Sequence, residues 1–268
     1  MKRLLVHSFL LVLLVLTFYP FAFMFLTSFK SVGQFYRNFW GISLPLNSGN
    51  YIEAWWGVKN YVLNSIVVSG LSLCGVLILG CLTSYVFVRF NFWGRTFLFY
   101  AILGLLMIPG VLTLVPLYMI VKKLGLLDTR WVLILPYISG GQVFAIFVLS
   151  SFFETIPKDL FDAATIDGAK EHRILWHLVI PLSKPILGVV AIMNLLWTWN
   201  EFMWPFVTLN DAAKFVIPVG LLTYFGQYGT NYGVMFAGYA IAAIPLLLLF
   251  AFATRTFMRG ISSGALKF

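Results

Sequence analysis

Charge is what this chain lacks. Only 10% of its 268 residues are Asp, Glu, Lys or Arg, and the acids number nine. A soluble domain carries about 25% charged residues, so a water-covered globule is excluded. Disorder is excluded from the other side, because 61% of the residues are hydrophobic. The two cysteines, Cys74 and Cys81, are seven apart in one apolar stretch. Two helical turns separate them by about 10 Å, beyond disulfide reach. They form no CxxC pair and read as small packing residues. The three histidines, His7, His172 and His177, and the lack of an HExxH pattern leave few ligands for a metal or haem. No GxxxxGKS/T stretch occurs, which excludes ATP binding through a P-loop. No nucleophile with a matched base is visible. The chain reads as a non-enzyme with no catalytic residue, no metal and no cofactor of its own.

What is present is length of apolar run. Six stretches, at roughly 4–29, 62–88, 97–121, 132–153, 186–209 and 234–256, are long enough to cross a bilayer. Spanning backbone must satisfy its own hydrogen bonds, so it forms helices or a closed barrel. Barrel strands are short and alternating, and these runs are long and continuous. The first run follows Lys2-Arg3 like a signal peptide, yet it continues to Phe29 with no small-x-small cleavage site, so a retained span is expected. Eighteen basic residues against nine acids give a net charge of +9. In a soluble protein that balance would point to nucleic acid; here it points to bases flanking spans. With the N-terminus inside, eleven of the eighteen fall on inner segments and seven on outer ones. Both termini are therefore expected in the cytoplasm.

The inner segment 154–185 holds five of the nine acids: Glu154, Asp159, Asp162, Asp167 and Glu171. Pro157 suits the first turn of a helix. Leu160, Ala163 and Ala164 fall on one face of it. Asp167-Gly168 reads as its stop. A second helix is expected over about 169–179, ended by Pro181, and Ser183 with Pro185 looks like the start of the fifth span. Small residues on a helix admit a second backbone closely, so the first helix suits a groove on a partner. A solvated amphipathic connector is the plainer reading.

This segment resembles the EAA loop of ABC importer permeases, whose pattern is Glu-Ala-Ala, three residues, Gly, nine residues, Ile-x-Leu-Pro. Here it runs Asp162-Ala163-Ala164, Gly168 and Leu178-Val179-Ile180-Pro181. Asp for Glu at 162, Leu for Ile at 178 and Ile for Leu at 180 depart conservatively. The shorter Asp shifts any ion pair made to a partner. Further text resembles the carbohydrate-uptake branch, and within it the smaller six-span permease of the maltose-type pair. That text is Leu26-Thr-Ser-Phe-Lys30, Met107-Ile-Pro-Gly110, Lys123-Leu-Gly-Leu-Leu-Asp-Thr129, Trp199-Asn-Glu-Phe202 and Gly264-Ala-Leu-Lys267.

The resemblance implies an all-α membrane protein with six transmembrane helices, the type I ABC importer permease fold and a cytoplasmic coupling helix. It implies three regions: 1–61, the first span and an extracytoplasmic loop; 62–258, a five-span core including the loop 154–185; and 259–268, a cytoplasmic tail that also touches the ATPase. The implied partners are a second homologous permease, two cytoplasmic ATPase subunits that hold ATP and Mg, an extracytoplasmic solute-binding protein, membrane lipid and a sugar substrate, with no nucleic acid. The expected location is the inner or plasma membrane of a prokaryotic cell. Asp162, Ala163, Ala164, Asp167, Gly168 and Pro181 are the ATPase-docking candidates. The outer loop 210–233, rich in Gly, Tyr, Asn and Thr, would face the binding protein and reach the sugar as a scoop.

The fifth span carries Glu201, the only acid inside an apolar run, and such a carboxylate is a functional candidate. Asn194, Trp197, Glu201, Trp204 and Thr208 recur at steps of three and four and are expected on one face. Pro205 frees the carbonyl of Glu201, so a kink is expected there. With Asn200, these residues are the candidates for a sugar path; hydrogen bonding between helices and interfacial anchoring by the tryptophans are the competing reading. Met107-Ile-Pro-Gly110 and Pro116 point to a broken third span. An ion-coupled carrier using Glu201, an importer permease for a non-sugar solute and a membrane-embedded enzyme remain the alternatives.

Overall fold

The computed structural model describes residues 2–265. The expected tail 259–268 is thereby reached only as far as 265, and its last three residues lie outside the described residues. Among the described residues the chain is helical, with no strand.

In chain order, α1 (Lys2–Ser28), the short α2 (Val32–Arg37) and the 41-residue α3 (Gly49–Arg89) come first. Then follow α4 (Arg95–Gly104), α5 (Gly110–Lys123) and α6 (Trp131–Phe153). The segment after α6 forms α7 (Lys158–Ile166), α8 (Glu171–Ile174) and α9 (Ile180–Leu182), and the fifth apolar run forms α10 (Lys184–Asn200) and α11 (Met203–Thr208). The chain closes with α12 (Ile217–Tyr228) and α13 (Tyr232–Ala265).

Among the described residues, four helices are long and apolar enough to cross a membrane: Leu5–Ser28, Gly49–Arg89, Trp131–Phe153 and Tyr232–Ala251. Two further candidates are bent pairs. Arg95–Met107 and Gly110–Lys123 meet at 104°, and Glu171–Leu182 and Lys184–Asn200 meet at 79°. Counting each pair as one span gives six. The third run is thus not a straight crossing. Its break falls at Ile108-Pro109, where Pro109 is extended and caps α5, as the Met107–Gly110 text implied. Pro116 sits inside α5 without breaking it.

Two compact units are distinguished, one of residues 1–63 with 215–247 and one of 64–214 with 248–268. In the first unit, an apolar window of α1 is wholly unburied, so its hydrophobic surface is left to lipid or another chain. The connector after α1 is organised by Lys30, which is 1% exposed. Its ammonium donates to the carbonyls of Asn38 at 2.7 Å and Phe39 at 2.9 Å. Burial pulls its pKa below the usual lysine value. A capping box of Ser31 and Gln34 starts α2, and Phe35 stacks on Tyr232 at 4.3 Å. The segment 210–233, expected as an outer loop, contains a helix. α12 buries Tyr224, whose hydroxyl donates to the Val234 carbonyl at 3.0 Å.

In the second unit, α3, α6 and α10 pack through small residues. A Cβ on Gly141 would lie 2.6 Å from Val76 and 2.7 Å from Asn194, and Gly75 abuts Ile138. Without a hydrophobic drive between helices in lipid, such close backbone approach is what holds spans together. The core beneath gathers Val76, Cys81, Tyr85, Ala145, Leu149, Phe153, Val179 and Val190. Phe161 and Ile174, from the segment after α6, join it.

Candidate functional site

The segment 154–185 is ordered by its own sequence. Pro157, with φ −56° and ψ 134°, is the N-cap of α7 rather than its first helical residue. Asp159 sits in the first turn, where a carboxylate favours the helix dipole. The helix ends at Ile166 in a Schellman turn. Gly168 donates to the Thr165 carbonyl and Ala169 to the Ala164 carbonyl, each at 3.0 Å. Gly168 has φ +75°, a conformation that a Cβ disfavours.

The two alanines then part company. Phe161 is 6% exposed in the core, and Ala164 is half-buried against the same core. Asp162, Ala163 and Asp167 are exposed, and Ile166 is 86% exposed. The expected common face of Leu160, Ala163 and Ala164 is therefore corrected. Asp159, Asp162, Ala163 and Ile166, at steps of three and four, form the outward face. Phe161 and Ala164 anchor the opposite one. Beside Ala164 runs an open groove lined also by Ala169, Arg173, Ile174, His177 and Leu178.

The second helix also differs from expectation. Pro181 does not end it at 179. Leu175–Val179 winds as a π-helical turn, and the helix runs on through Pro181 to Leu182. The wider turn accommodates a residue that has no N–H to return to the preceding turn. Pro181 is exposed on the last turn before the 79° bend, on a different element from α7. Ser183 begins α10 as expected, yet its hydroxyl is buried without a hydrogen-bond partner and does not cap the helix.

In the fifth run the expected single face is broken. α10 stops at Asn200, Glu201 is extended with φ −66° and ψ 118°, and α11 restarts at Met203. Pro205 cannot donate to Glu201, and the backbone opens there fully rather than bending. One carboxylate oxygen of Glu201 accepts the backbone N–H of Trp204 at 3.1 Å and so caps α11. Trp204 is buried, its indole N–H donating to the Val132 carbonyl at 2.8 Å. Asn200 is exposed and donates to the Leu196 carbonyl of its own helix. Asn194 and Trp197 stay together on α10. Asn194 is buried with its Oδ1 unpartnered. Trp197 is half exposed and meets the Tyr137 ring edge-to-face at 5.3 Å. The path candidates thus divide: Asn194 and Trp197 line α10, Glu201 and Trp204 hold the break, and Asn200 faces away.

One constellation was not legible in the sequence. Asp128, with φ +56°, accepts the backbone N–H groups of Asn210 and Asp211, each at 3.0 Å. Lys214 bridges it at 2.9 Å and Asp211 at 3.2 Å. The Asp211 and Asn210 amides, then Lys214, hold the Asp128 carboxyl down to about 2. The Ala213 amide, then Lys214, lowers Asp211, and the two acids raise Lys214. Nearby, Arg130 donates to Asn64 at 2.9 Å, and Asn64 donates to the Ala213 carbonyl at 2.8 Å. The turn 124–130 and the turn 209–214 are thereby clamped together. Asp128 and Thr129 belong to the stretch Lys123–Thr129 that carries part of the family resemblance, but nothing in the sequence pairs them with residues over 80 positions away.

A family model described as binding-protein-dependent transport system inner membrane component matches residues 76–263. The probable ABC transporter permease protein YurM of Bacillus subtilis is 34% identical over 263 residues, covering 98% of this chain and 88% of that one. The diacetylchitobiose uptake system permease protein NgcG of Streptomyces coelicolor is 33% identical over 265 residues, covering 97% and 88%. The arabinooligosaccharides transport system permease protein AraQ of Halalkalibacterium halodurans is 35% identical over 261 residues, covering 93% and 91%. The fold matches a chain in the crystal structure of a bacterial ABC transporter involved in import of the acidic polysaccharide alginate, with TM-score 0.86, 21% identity and 96% of each chain covered. With the helical bundle and the spacing from Asp162 to Pro181, these matches identify the chain as a member of the binding-protein-dependent transport system inner membrane components, a multi-pass permease of the ABC importer type and not an enzyme.

Proposed function

We propose that the chain is the transmembrane permease subunit of an ATP-driven importer and moves a sugar, an oligosaccharide or disaccharide, delivered by a solute-binding protein. The observation that carries the reading is the outward face of α7. A helix anchored by Phe161 and closed by Gly168 offers Asp162, Ala163 and Ile166 to a partner. That is the form of a helix seated in a groove. The partner is a cytoplasmic ATPase, two copies per assembly, which holds ATP and Mg. Closure of the ATPase pair is then passed on as rigid-body motion. Relatives named for diacetylchitobiose and arabinooligosaccharides support the substrate class.

A second homologous permease and lipid cover the exposed apolar surface of α1 and of α4 and α5, where Met107 is 85% and Val111 81% exposed. Both termini and α7 then lie in the cytoplasm, and the clamp at Asp128 lies on the binding-protein side. Asn194 and Trp197 are the substrate-path residues this geometry favours. Glu201 favours a structural role, since it caps α11.

The test is reconstitution of the assembled complex in vesicles with the binding protein and a labelled oligosaccharide. Uptake that requires ATP on the α7 side and the binding protein supports the reading; uptake driven by an ion gradient without ATP contradicts it.

A further inference from the structure

Arg89, the last residue of α3, makes three contacts with the two helices that flank Gly168. Its Nε lies 3.5 Å from Glu171 Oε1. Its Nη2 donates to Thr165 Oγ1 at 3.4 Å. Its guanidinium carbon lies 5.4 Å from the centre of the Phe161 ring, within cation–π range. Tyr85, one turn earlier on the same face of α3, donates its hydroxyl to the other Glu171 oxygen. Tyr85 is 5% exposed. Thr165 in turn donates to the Phe161 carbonyl at 2.8 Å. One guanidinium and one phenol therefore grip α7 at Phe161 and Thr165, and α8 at Glu171.

We propose that Arg89 and Tyr85 are positioning residues that fasten the docking helix to the end of α3, so that α7, the first turn of α8 and the last turn of α3 are displaced as one body. The inference rests on the reading of α7 as the coupling helix and names the device that makes its motion productive. Arg89 suits this task by its planar fork, which serves a carboxylate, a hydroxyl and an aromatic face together. A lysine ammonium at the same site keeps the charge and loses that geometry. Glu171 divides its two oxygens between a phenol and a guanidinium, so removing its charge loosens both. Without the grip, α7 still presents Asp162, Ala163 and Ile166, because Phe161 and the Gly168 turn hold its outward face. The ATPase then docks and turns over, but its closure moves α7 without drawing α3 with it.

The test uses the whole complex in vesicles and measures ATP hydrolysed per sugar imported. Arg89→Lys and Glu171→Gln are expected to cut uptake by about fivefold or more. The ATPase still co-purifies and hydrolysis is largely retained, so the ATP used per sugar rises. The exchanged pair Arg89→Glu with Glu171→Arg is expected to recover part of the coupling. Tyr85→Phe removes only a hydroxyl and gives a smaller rise, which keeps the test open should the charged variants fold poorly. Uptake and hydrolysis falling in parallel, or both unchanged, overturns the proposal. Retained ATPase association in Ala163→Glu contradicts the docking reading instead, so the two failures are distinguishable.

Discussion

Ala169 donates its backbone N–H to the Ala164 carbonyl at 3.0 Å, closing over Gly168 the turn that ends α7. The bond needs residue 168 at φ +75°. Beyond its own chain neighbours, no atom lies within 4 Å of where a Cβ on Gly168 would stand, so the cost of substitution is conformational rather than steric. Gly168→Ala is expected to destabilise by about 1 kcal/mol, Gly168→Asn by less, and Gly168→Val by more. Gly168→Asp fits the backbone nearly as well as Asn, so its expected loss of transport comes from a new charge at the partner contact. Thermal denaturation of the four variants, set beside their uptake, separates the two effects.

The opposite placement of two neighbouring alanines gives a second prediction. Ala163 is exposed and Ala164 packs on the core. Ala163→Glu is expected to leave stability within about 0.5 kcal/mol of the parent while ATPase co-purification is lost. Ala164→Leu is expected to destabilise by about 1–3 kcal/mol through overpacking. Equal effects of the two variants on melting temperature would contradict the orientation of α7.

Glu201 and Trp204 give a third. Glu201→Gln keeps an oxygen for the Trp204 N–H and is expected to preserve stability, whereas Glu201→Ala loses the cap, at about 1 kcal/mol. If Gln supports normal uptake, the charge has no part in the path. Trp204→Phe removes the bond to Val132 and is expected to cost about 1–3 kcal/mol, because a buried carbonyl loses its donor. Denaturation midpoints and uptake rates check each step.

The clamp at Asp128 has a pH signature. Its carboxyl is held at about 2, below the ordinary value of about 3.9. A depressed acid contributes stability that is complete above its unfolded pKa and is lost as pH falls through the folded value. The contribution is therefore flat from about pH 5 upward and fades between about pH 4 and pH 2. Asp128→Asn is expected to lower the melting temperature at neutral pH and to converge on the parent below about pH 2. A gap that stays constant through the acid range would contradict the clamp.

Several features were readable from residue order because they are local. Pro157, Gly168 and the spacing to Pro181 announced a helix, a left-handed stop and a second helix, and Ile108-Pro109 announced the break in the third run. Others were not readable because they depend on tertiary partners. Which alanine faces outward is decided by Phe161, which draws one side of α7 into the core. The shared face of Asn194, Trp197, Glu201 and Trp204 assumed an unbroken helix, and Glu201 turned to capping once Pro205 opened the backbone. The passage of the second helix through Pro181 needed a π turn that composition does not announce. The grip of Arg89 on Glu171 and the clamp of Asp128 on Asp211 join residues 82 or 83 positions apart, beyond the reach of any local pattern.

Transport is expected to be driven through α7 by an ATPase. The most direct measurement is oligosaccharide uptake by vesicles holding the complete complex, with ATP enclosed or withheld, in the parent and in Ala163→Glu. Uptake is expected to need both ATP and the binding protein, and to be lost in Ala163→Glu at normal membrane level and unchanged melting temperature. ATP-independent uptake in the parent, or full uptake in Ala163→Glu, would contradict it.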